Sequence, residues 1–423
     1  MLDIKIIRQN TDLVRKALKD KKSKFNLDEF LKIDEDRRKV LGEIENLKAK
    51  QNKIDEKVKV LLKEKKDFKF KIEESKSIKK EIVSYENEFQ ALDDKFKKES
   101  YKIPNMPHSS LPVGDVSNNK IIKEVGSKKE FSFKPLDHVS LAESLDIVDF
   151  KRAVKVSGSN FVLFKGAGAQ LERALINFML DLHTNEHNYL EIFPPKLVNR
   201  DSMFVTGQLP NLEDDMYAVK DDGLFLIPTA EVPVTNIHRN EIFNEDDLPR
   251  YYVAYTPCFR REAGSYGKET RGLTRVHEFD KVEMVKFVKP DDSYLELEKI
   301  LSNACKVLDL LELPYRVVLL ATGDISFAAA KCYDIELYSP GVDMWLEVSS
   351  CSNFEDFQAR RGSIKYKNKK TGKNEYVHTL NGSGVALARL FISIIENYQQ
   401  DDGSILIPEV LRRYLNGRER IKK

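Results

Sequence analysis

Two runs of apolar residues at heptad spacing near the amino terminus constrain the fold of this 423-residue chain more than any other feature. The first run is Val40, Ile44, Leu47, Ile54, Val58 and Leu61, and the second is Ile78, Ile82, Tyr85, Phe89, Leu92 and Phe96. Steps of three and four residues, with the polar Gln51 in one position, bring such side chains to one face of a helix. Only a lysine- and acid-rich break at 63–69 separates the runs, so they predict an antiparallel helical coiled-coil arm within residues 1–100.

The length of this arm and its many lysines bear on its purpose. A first helix over 26–63 would be about 55 Å long at about 1.5 Å per residue, which is long enough to leave a globular body. The lysines have two interpretations. They form a solvated coiled-coil face, or they form a basic surface that follows a nucleic-acid backbone, for which exposed lysine and arginine suffice.

A proline-containing segment follows the arm. The stretch YKIPNMPHSSLPVGD, residues 101–115, contains Pro104, Pro107, Pro112 and Gly114. A helix cannot continue through this composition. Residues 101–115 are therefore predicted to be a linker to a second domain at 116–423.

The second domain alternates between strand-like stretches and turns. FVLFKGAGAQLERALINFMLDLH reads as a strand, a glycine turn and an amphipathic helix. The further strand-like stretches are YLEIFPPKLV, LFLIPTAEVPV, YYVAYTPCFRR, RVHEFDKVEMVKFV, YRVVLLATGD, KCYDIELYSP and WLEVSSCSN. Turns and hairpins join most of them, without regular crossover helices, which predicts an α+β domain built on an antiparallel sheet.

Composition narrows the function classes. The chain is 41% hydrophobic without a long apolar run or an apolar leader, so we expect a cytoplasmic protein with no membrane partner. The 70 basic residues nearly balance 68 acidic ones, so a polyanionic partner must be bound by a local patch. Wide spacing and an intracellular setting predict that the cysteines, Cys258, Cys305, Cys332 and Cys351, are packing residues.

The stretch FRREAGSYGKETRGLTRVHEFDKVEM, residues 259–284, concentrates charge in a predicted hairpin. Strand alternation places Arg275, His277, Phe279, Lys281 and Glu283 on one face, and Arg260 and Glu262 share a face of the partner strand. Two interpretations stay open. The face is an exposed hairpin surface with cross-strand ion pairs, or it is a nucleotide site in which arginines bind phosphate and Phe279 stacks on a base.

The glycine-bearing loop at 263–274 could fold over a ligand, and the whole stretch resembles motif 2 of the class II aminoacyl-tRNA synthetases. In that class an Arg-x-Glu strand, a variable loop and a returning strand hold ATP. NYLEIFPPKLV is similar to motif 1, a dimer-interface element with a characteristic proline at Pro195. GSGVALARLFI is similar to motif 3, which carries Arg389.

Further stretches are similar to the seryl-tRNA synthetases of the bacterial type. They are IPNMPHSSLPVG, TGQLP, PTAEVPVTN, EVSSCSNFEDFQARR and TLNGSGVALARL, and the resemblance covers nearly the whole chain. Two positions depart from the family pattern. Asn188 replaces the usual opening glycine of motif 1, and Arg261 stands where serine is common, which could alter nucleotide affinity.

The resemblance implies a reaction and its partners. Serine and ATP would give seryl-adenylate and pyrophosphate, and the serine would then pass to the 3′ end of tRNA(Ser), and also of tRNA(Sec). The family implies Mg²⁺ as cofactor, ATP and L-serine as substrates, a homodimer, and no DNA partner.

The resemblance also assigns nucleotide-site residues. Arg260 would hold the α-phosphate and the serine carboxylate, and Arg389 would hold the γ-phosphate end. The full ATP-binding set would be Arg260, Arg261, Glu262, Arg275, Val276, Phe279, Glu347, Val348, Ser349, Ser350 and Arg389. Glu347 and Ser350 would also bind Mg²⁺, although strict alternation puts Ser349 on the face of Glu347, so a bulge is required there. Without the resemblance, SSCS reads equally well as a surface serine cluster.

The amino acid must be recognised by its ammonium and its hydroxyl group. In the family pattern, Thr229, Glu231 and Glu283 supply acceptors and negative charge, and Asn381 and Ser383 supply neutral hydrogen-bonding groups. A site that hydrogen-bonds a hydroxyl rejects alanine because its own groups would be left unpaired. By local pattern alone, Thr229 and Glu231 read as strand-end residues beside prolines.

Two other functions would require different sequence features. A synthetase-like protein that activates an amino acid for a carrier other than tRNA should lack the arm. A coiled-coil RNA-binding or scaffold protein with an inactive catalytic body should have lost Arg260, Glu283, Glu347 or Arg389, and all four are present.

Overall fold

A computed structural model of the chain describes residues 1–263 and 271–423. The α-helices of this described part are α1 Ile4–Gln9, α2 Thr11–Asp20, α3 Leu27–Lys63, α4 Lys69–Ser100, α5 His138–Ser144, α6 Phe150–Ser157, α7 Ala167–Asn185, α8 Arg200–Thr206, α9 Glu231–Asn236, α10 Ser293–Leu310, α11 Phe357–Gly362, α12 Leu387–Asn397 and α13 Glu409–Arg412. Its strands are β1 Lys120–Val125, β2 Leu190–Glu191, β3 Leu197–Asn199, β4 Ala218–Val219, β5 Leu224–Leu226, β6 Ile242–Asn244, β7 Arg250–Phe259, β8 Glu278–Val288, β9 Tyr315–Leu319, β10 Lys331–Ser339, β11 Met344–Asn353, β12 Lys365–Lys367, β13 Asn374–Tyr376, β14 His378–Ala386, β15 Ile405–Leu406 and β16 Arg420–Ile421. No described helix is long and apolar enough to cross a membrane.

The first compact unit comprises Leu2–Lys19 and Ser23–Pro104 and contains the helical hairpin. Asn26 caps the start of α3, because its side-chain oxygen accepts a hydrogen bond from the backbone of Glu29 at 3.1 Å. The heptad positions Val40, Ile44 and Leu47 are buried against α4. The predicted antiparallel helical arm is therefore present.

Aromatic and charged side chains close the base of this hairpin. Phe30 and Phe96 stack with ring centroids 5.0 Å apart. The guanidinium of Arg37 lies 4.9 Å from the Phe96 centroid and 2.5 Å from an oxygen of Asp93. A half-buried cation held by both a ring and a carboxylate fixes the register of the two helices better than apolar contacts alone.

The second compact unit comprises Met1, Asp20–Lys22 and Asn105–Lys423 and is built on an eight-stranded sheet. The strand order is β1-β9-β10-β11-β14-β8-β7-β2. Only the short β2 pairs in parallel, with β7, and the other neighbours in this sheet are antiparallel. The predicted α+β architecture is confirmed.

The two faces of this sheet pack against different cores. Val282 and Met284 of β8 point into the larger core, which includes residues of α7, α10 and α12. Val285 and Phe287 point the other way, into a smaller core. Each buried side chain of this kind contributes about 1.5–3 kcal/mol relative to an exposed one. Lys281 and Glu283 alternate with Val282 and Met284, so they lie on the face of β8 that carries Val285 and Phe287.

Several predicted strands are shorter than expected or absent. The stretch LFLIPTAEVPV forms strand only over Leu224–Leu226 and continues into helix α9 from Glu231. The returning strand begins at Glu278 instead of Arg275. Residues 161–164 form no regular strand, and only an isolated bridge joins Phe164 to Val148.

The partner strand of the hairpin also ends early. β7 ends at Phe259, and Glu262 has a left-handed backbone with φ of 51°. The prediction that Arg260 and Glu262 share a strand face is therefore wrong.

The prediction that the four cysteines are packing residues is confirmed, since all four are free and buried.

Candidate active site on the central strands

Glu283 is the centre of a buried polar cluster on β8. One of its oxygens accepts a hydrogen bond from the Asn381 amide at 2.9 Å. The other accepts from Ser383 at 3.3 Å and lies 2.5 Å from the Lys281 ammonium. Lys281 also donates to the hydroxyl of Thr229 at 3.0 Å. The structure thus brings four of the five predicted serine-binding residues into one network. It also adds Lys281, which the sequence prediction had not assigned.

Glu231, the fifth of these residues, begins helix α9 and is 6% exposed. The Gln358 amide donates to its carboxylate at 2.6 Å, and Thr379 in turn donates to the Gln358 oxygen at 2.7 Å. Burial, reinforced by the negative charge of Glu283, raises the pKa of Glu231 to about 7. Gln358 and the positive charges of Lys281 and Arg260 act in the opposite direction. A carboxyl group with such a pKa changes charge within the physiological range.

Arg260 lies at the end of the motif 2 strand, beside the predicted base-stacking ring. Its guanidinium carbon is 5.2 Å from the Phe279 centroid, and its Nε donates to the carbonyl of Pro228 at 3.4 Å. Main-chain contacts with His277 fix its backbone, since Arg260 N–H donates to the His277 carbonyl at 2.9 Å. Arg260 and Phe279 are therefore adjacent, although Arg260 itself lies just outside β7.

Arg275 and Glu262 pair with each other at 2.6 Å, and neither belongs to a strand. Val276 is buried next to Arg275. The backbone N–H of Arg261 donates to the Asp215 carbonyl at 2.9 Å, and the residue is exposed. The loop predicted to fold over a ligand spans residues 263–274. Its residues 264–270, which include Gly264 and Gly267, lie outside the described part of the chain.

A β-bulge brings Glu347 and Ser350 toward one face of β11. The register pairs Ile335 with Ser349 but Glu336 with Glu347, so Val348 is the extra residue. Val348 and Ser349 are buried, whereas Glu347 is exposed and Ser350 is half-buried. Ser349 turns away from this face, and its hydroxyl donates to the Ser383 carbonyl at 2.5 Å. The bend that the sequence prediction required is present.

Arg389, on helix α12, lies beside Glu347. Its Nη1 donates to the Glu347 carbonyl at 2.7 Å and lies 3.7 Å from the carboxylate. Its Nε donates to the carbonyl of Thr274 at 3.3 Å. The main chain of Glu347 and that of Thr274 thus orient the guanidinium from two sides.

Asp334 is a member of this region that sequence reasoning missed. It lies opposite Ser350 in the β10–β11 ladder, and burial together with the charge of Glu347 raises its pKa well above the ordinary value. Carboxylate and hydroxyl oxygens are hard ligands that suit Mg²⁺, and a cation would relieve the repulsion between the two carboxylates. The donor set therefore fits the predicted ion, although the described residues contain no group of three or more His, Cys, Asp or Glu side chains that could hold a metal.

These residues occupy neighbouring strands in the middle of the sheet. β11, β14, β8 and β7 are consecutive in the strand order, and together they carry Glu347, Ser383, Glu283 and, just past the last strand, Arg260. An antiparallel sheet with an Arg-bearing hairpin and a second arginine on the helix after β14 defines a class II aminoacyl-tRNA synthetase core. Residues 217–398 match the family described as tRNA synthetase class II core domain (G, H, P, S and T).

Residues 1–107 match a second family, the seryl-tRNA synthetase N-terminal domain. Curated relatives named serine–tRNA ligase are 53% identical in Trichlorobacter lovleyi and 52% identical in Carboxydothermus hydrogenoformans, each over 100% of both chains. The chain belongs to the seryl-tRNA synthetase family. It is an aminoacyl-tRNA synthetase of the type that attaches serine to tRNA.

Solved structures agree with this assignment. The seryl-tRNA synthetase from Pyrococcus horikoshii complexed with ATP has a TM-score of 0.94 at 39% identity, covering 100% of this chain and 99% of that one. The cytoplasmic serine–tRNA ligase from Naegleria fowleri in complex with AMP has a TM-score of 0.90 at 27% identity, with the same coverage.

Proposed function

We propose that the protein joins L-serine to tRNA(Ser) in two steps through a seryl-adenylate. In the first, a serine carboxylate oxygen attacks the α-phosphorus of ATP, and the bond to the bridging oxygen breaks, which releases pyrophosphate. In the second, a hydroxyl group at the 3′ end of the tRNA attacks the serine carbonyl carbon and releases AMP. Since the carboxylate is already a nucleophile, the first step needs two anions to be held together and no general base.

The arginines supply the positive charge for this step. Arg260 would hold the α-phosphate and the carboxylate, and Arg389 would hold the γ-phosphate end, with the adenine stacked on Phe279. Support comes from the contact of Arg260 with the Phe279 ring and from the main-chain contacts that orient Arg389. Arg261, Glu262, Arg275, Val276, Val348 and Ser349 complete the proposed ATP-binding set. The Arg275–Glu262 pair would keep the motif 2 segment in place beneath the nucleotide.

Mg²⁺ would be held by Glu347 and Ser350 together with phosphate oxygens, and it would neutralise charge on the departing pyrophosphate.

The buried network around Glu283 is the observation that carries the choice of serine. Glu283 with Asn381 and Ser383 would surround the substrate hydroxyl, and Thr229 with Glu231 would accept hydrogen bonds from its ammonium. Apolar substrates of similar size would occupy the site without offering these buried polar groups a hydrogen-bond partner. Rejection of alanine by a factor of about 10⁴–10⁵ is the scale for such polar sites.

The arm would select the tRNA. We propose a division into an arm at 1–100, a linker at 101–115 and a catalytic domain at 116–423. Exposed lysines on the hairpin, including Lys57, Lys59 and Lys79, are suited to phosphate contacts along a tRNA backbone. We also propose that the protein attaches serine to tRNA(Sec). It would act in the cytoplasm, where translation takes place.

The direct test is charging of tRNA(Ser) transcript with radiolabelled serine in the presence of ATP and Mg²⁺. We expect serine to become acid-precipitable and to be released by mild base, as an ester is. tRNA(Sec) and a tRNA for another amino acid would be compared in parallel. Equal charging of the unrelated tRNA would contradict the role assigned to the arm.

Serine affinity should depend on pH through Glu231. With a pKa raised to about 7, this carboxyl is charged at pH 8 and neutral at pH 6, and only the charged form pairs with the substrate ammonium. We therefore expect the KM for serine in pyrophosphate exchange to rise by up to about tenfold per pH unit below 7. A flat wild-type profile between pH 6 and 8.5 would contradict the assignment.

Glu231→Gln is the control for this profile. It should give a high KM that no longer changes over this range. Because the folded state raises the pKa of this carboxyl from 4.5 to about 7, it favours the protonated form, so stability falls as pH rises between these values. The Gln variant should thus be no less stable than the parent at pH 8, as judged by Tm, which separates a loss of affinity from unfolding.

A homodimer through motif 1 is also part of the proposal. β2 is an edge strand of the main sheet; its Leu190 is 60% exposed, and Phe193, which follows the strand, is 76% exposed. A cavity of about 460 Å³ adjoins Phe193, and it is lined in part by buried Glu172, whose Oε2 lacks a hydrogen-bond partner within the described chain. An apolar edge beside an unsatisfied buried carboxyl is suited to a partner surface.

Sedimentation at micromolar concentration tests this interface. We expect the parent to be a dimer and the Leu190→Asp/Phe193→Asp variant to be a monomer, because two charges would be buried without partners. Leu295→Asp is the matched control, since Leu295 is 61% exposed on α10 and should leave the dimer intact. A monomeric parent would contradict the proposal.

A further inference from the structure

Lys281 is a buried cation that the proposed reaction does not use. Its side chain is only 7% exposed, and its ammonium lies 2.5 Å from Glu283 and 3.0 Å from the hydroxyl of Thr229. Thr229 belongs to the part of the pocket assigned to the substrate ammonium, and Glu283 to the part assigned to the hydroxyl. Lys281 therefore lies between the two.

A buried carboxylate without a cation would be costly and would attract positive charge. Glu283 is 0% exposed, and the pair that it forms with Lys281 has no net charge. Asn381 and Ser383 also donate hydrogen bonds to its oxygens. The side-chain end of the pocket is thus a polar surface without net charge, which suits a hydroxyl group.

An ammonium group in the same position would meet a different environment. It would lie against the Lys281 ammonium beside a Glu283 that Lys281 already neutralises, and like charges at contact distance in a buried site repel strongly. The substrate ammonium beside Thr229 is instead balanced by the carboxylate assigned to it, Glu231. Without Lys281, an ammonium at the hydroxyl position would instead pair with Glu283. The identity of residue 281 thus decides whether Glu283 binds a hydroxyl or a cation.

We propose that Lys281 determines substrate specificity by neutralising Glu283, so that the site accepts serine and excludes amino acids whose side chain ends in an ammonium at the hydroxyl position. The closest such analogue is 2,3-diaminopropionate. This inference rests on the proposed serine-activating function and names a selecting residue within the same site.

The test measures kcat/KM in pyrophosphate exchange for serine and for 2,3-diaminopropionate. We expect the parent to prefer serine, and the ratio to fall by about 10- to 100-fold in Lys281→Met, the range for one charged hydrogen bond. Lys281→Arg should keep the preference, because it keeps the charge. Lys286→Met is the matched control: Lys286 is also a buried lysine of β8, paired with Glu296 at 2.8 Å, and its loss should leave the ratio unchanged.

The outcomes separate this inference from the proposed function. If the parent protein shows no serine-dependent pyrophosphate exchange, the proposed function itself is refuted. Exchange with serine in the parent, but an unchanged ratio in folded Lys281→Met, would overturn the role of Lys281. If that variant fails to fold, Lys281→Gln replaces it. Equal use of both amino acids by the parent would also overturn the inference, whatever the variants do.

Discussion

Replacing Arg260 with alanine is expected to lower serine-dependent pyrophosphate exchange by about 10²- to 10³-fold, the effect of removing one donor from developing negative charge. The guanidinium lies over Phe279 and acts on Glu231, so its charge reaches both the proposed nucleotide and amino-acid positions. The loss should fall mainly on kcat, because the two anions repel each other most as they come together. Exchange assays with saturating ATP and serine measure it.

Two variants serve as controls for this result. Arg260→Lys keeps a point charge without the bidentate fork and should recover part of the activity. Arg250→Ala removes an arginine at the opposite end of β7, where it pairs with Asp247, and should retain exchange within about twofold. Comparable losses of exchange activity in Arg260→Ala and Arg250→Ala would mean that activity depends on the integrity of β7 and not on the Arg260 guanidinium.

Shortening the helical hairpin is expected to separate the two half-reactions. Lys48 and Glu86 of α3 and α4 pair at 2.7 Å, so residues 49–85 can be replaced by a short glycine loop that joins them. The base of the hairpin, with Phe30, Phe96 and Arg37, stays intact. Serine-dependent exchange should change by less than about twofold, whereas kcat/KM for charging of tRNA(Ser) should fall by about 10²-fold or more as phosphate contacts are lost.

A full-length variant distinguishes lysine contacts from arm length. Lys57→Glu/Lys59→Glu/Lys63→Glu reverses three exposed charges on α3 without shortening it. It should also weaken charging, and the charging that remains should depend less on salt concentration than in the parent. Full charging by the shortened protein would contradict the role proposed for the arm.

The sequence predicted those features that follow from local periodicity. The heptad seam in α3 and α4 is visible because the partners are three and four residues apart, and strand alternation alone predicted that Phe279 and Glu283 share a face. The bulge at Val348 was foreseeable only because the resemblance required Glu347 and Ser350 on one face.

The incorrect strand predictions and the unpredicted site residues have physical reasons. Residues 224–234 carry apolar residues that suit a strand, but Pro233 is tolerated in the first turn of a helix, and the chain turns into α9 at Glu231. Residues 275–277 leave the ladder because His277 N–H bonds to the Asn160 carbonyl, a contact over more than a hundred residues. The roles of Gln358 and Lys281 were missed for the same reason, because their partners Glu231 and Thr229 lie 127 and 52 residues away in sequence.

We propose that the buried network on β8 and β14 brings serine, and no other amino acid, against ATP. Pyrophosphate exchange with each of the twenty amino acids measures this selectivity, with Arg260→Ala protein as the background. We expect exchange with serine alone, at least about 10²-fold above that background, and no detectable exchange with alanine or threonine. Exchange with another amino acid at a rate equal to or above that with serine would contradict it.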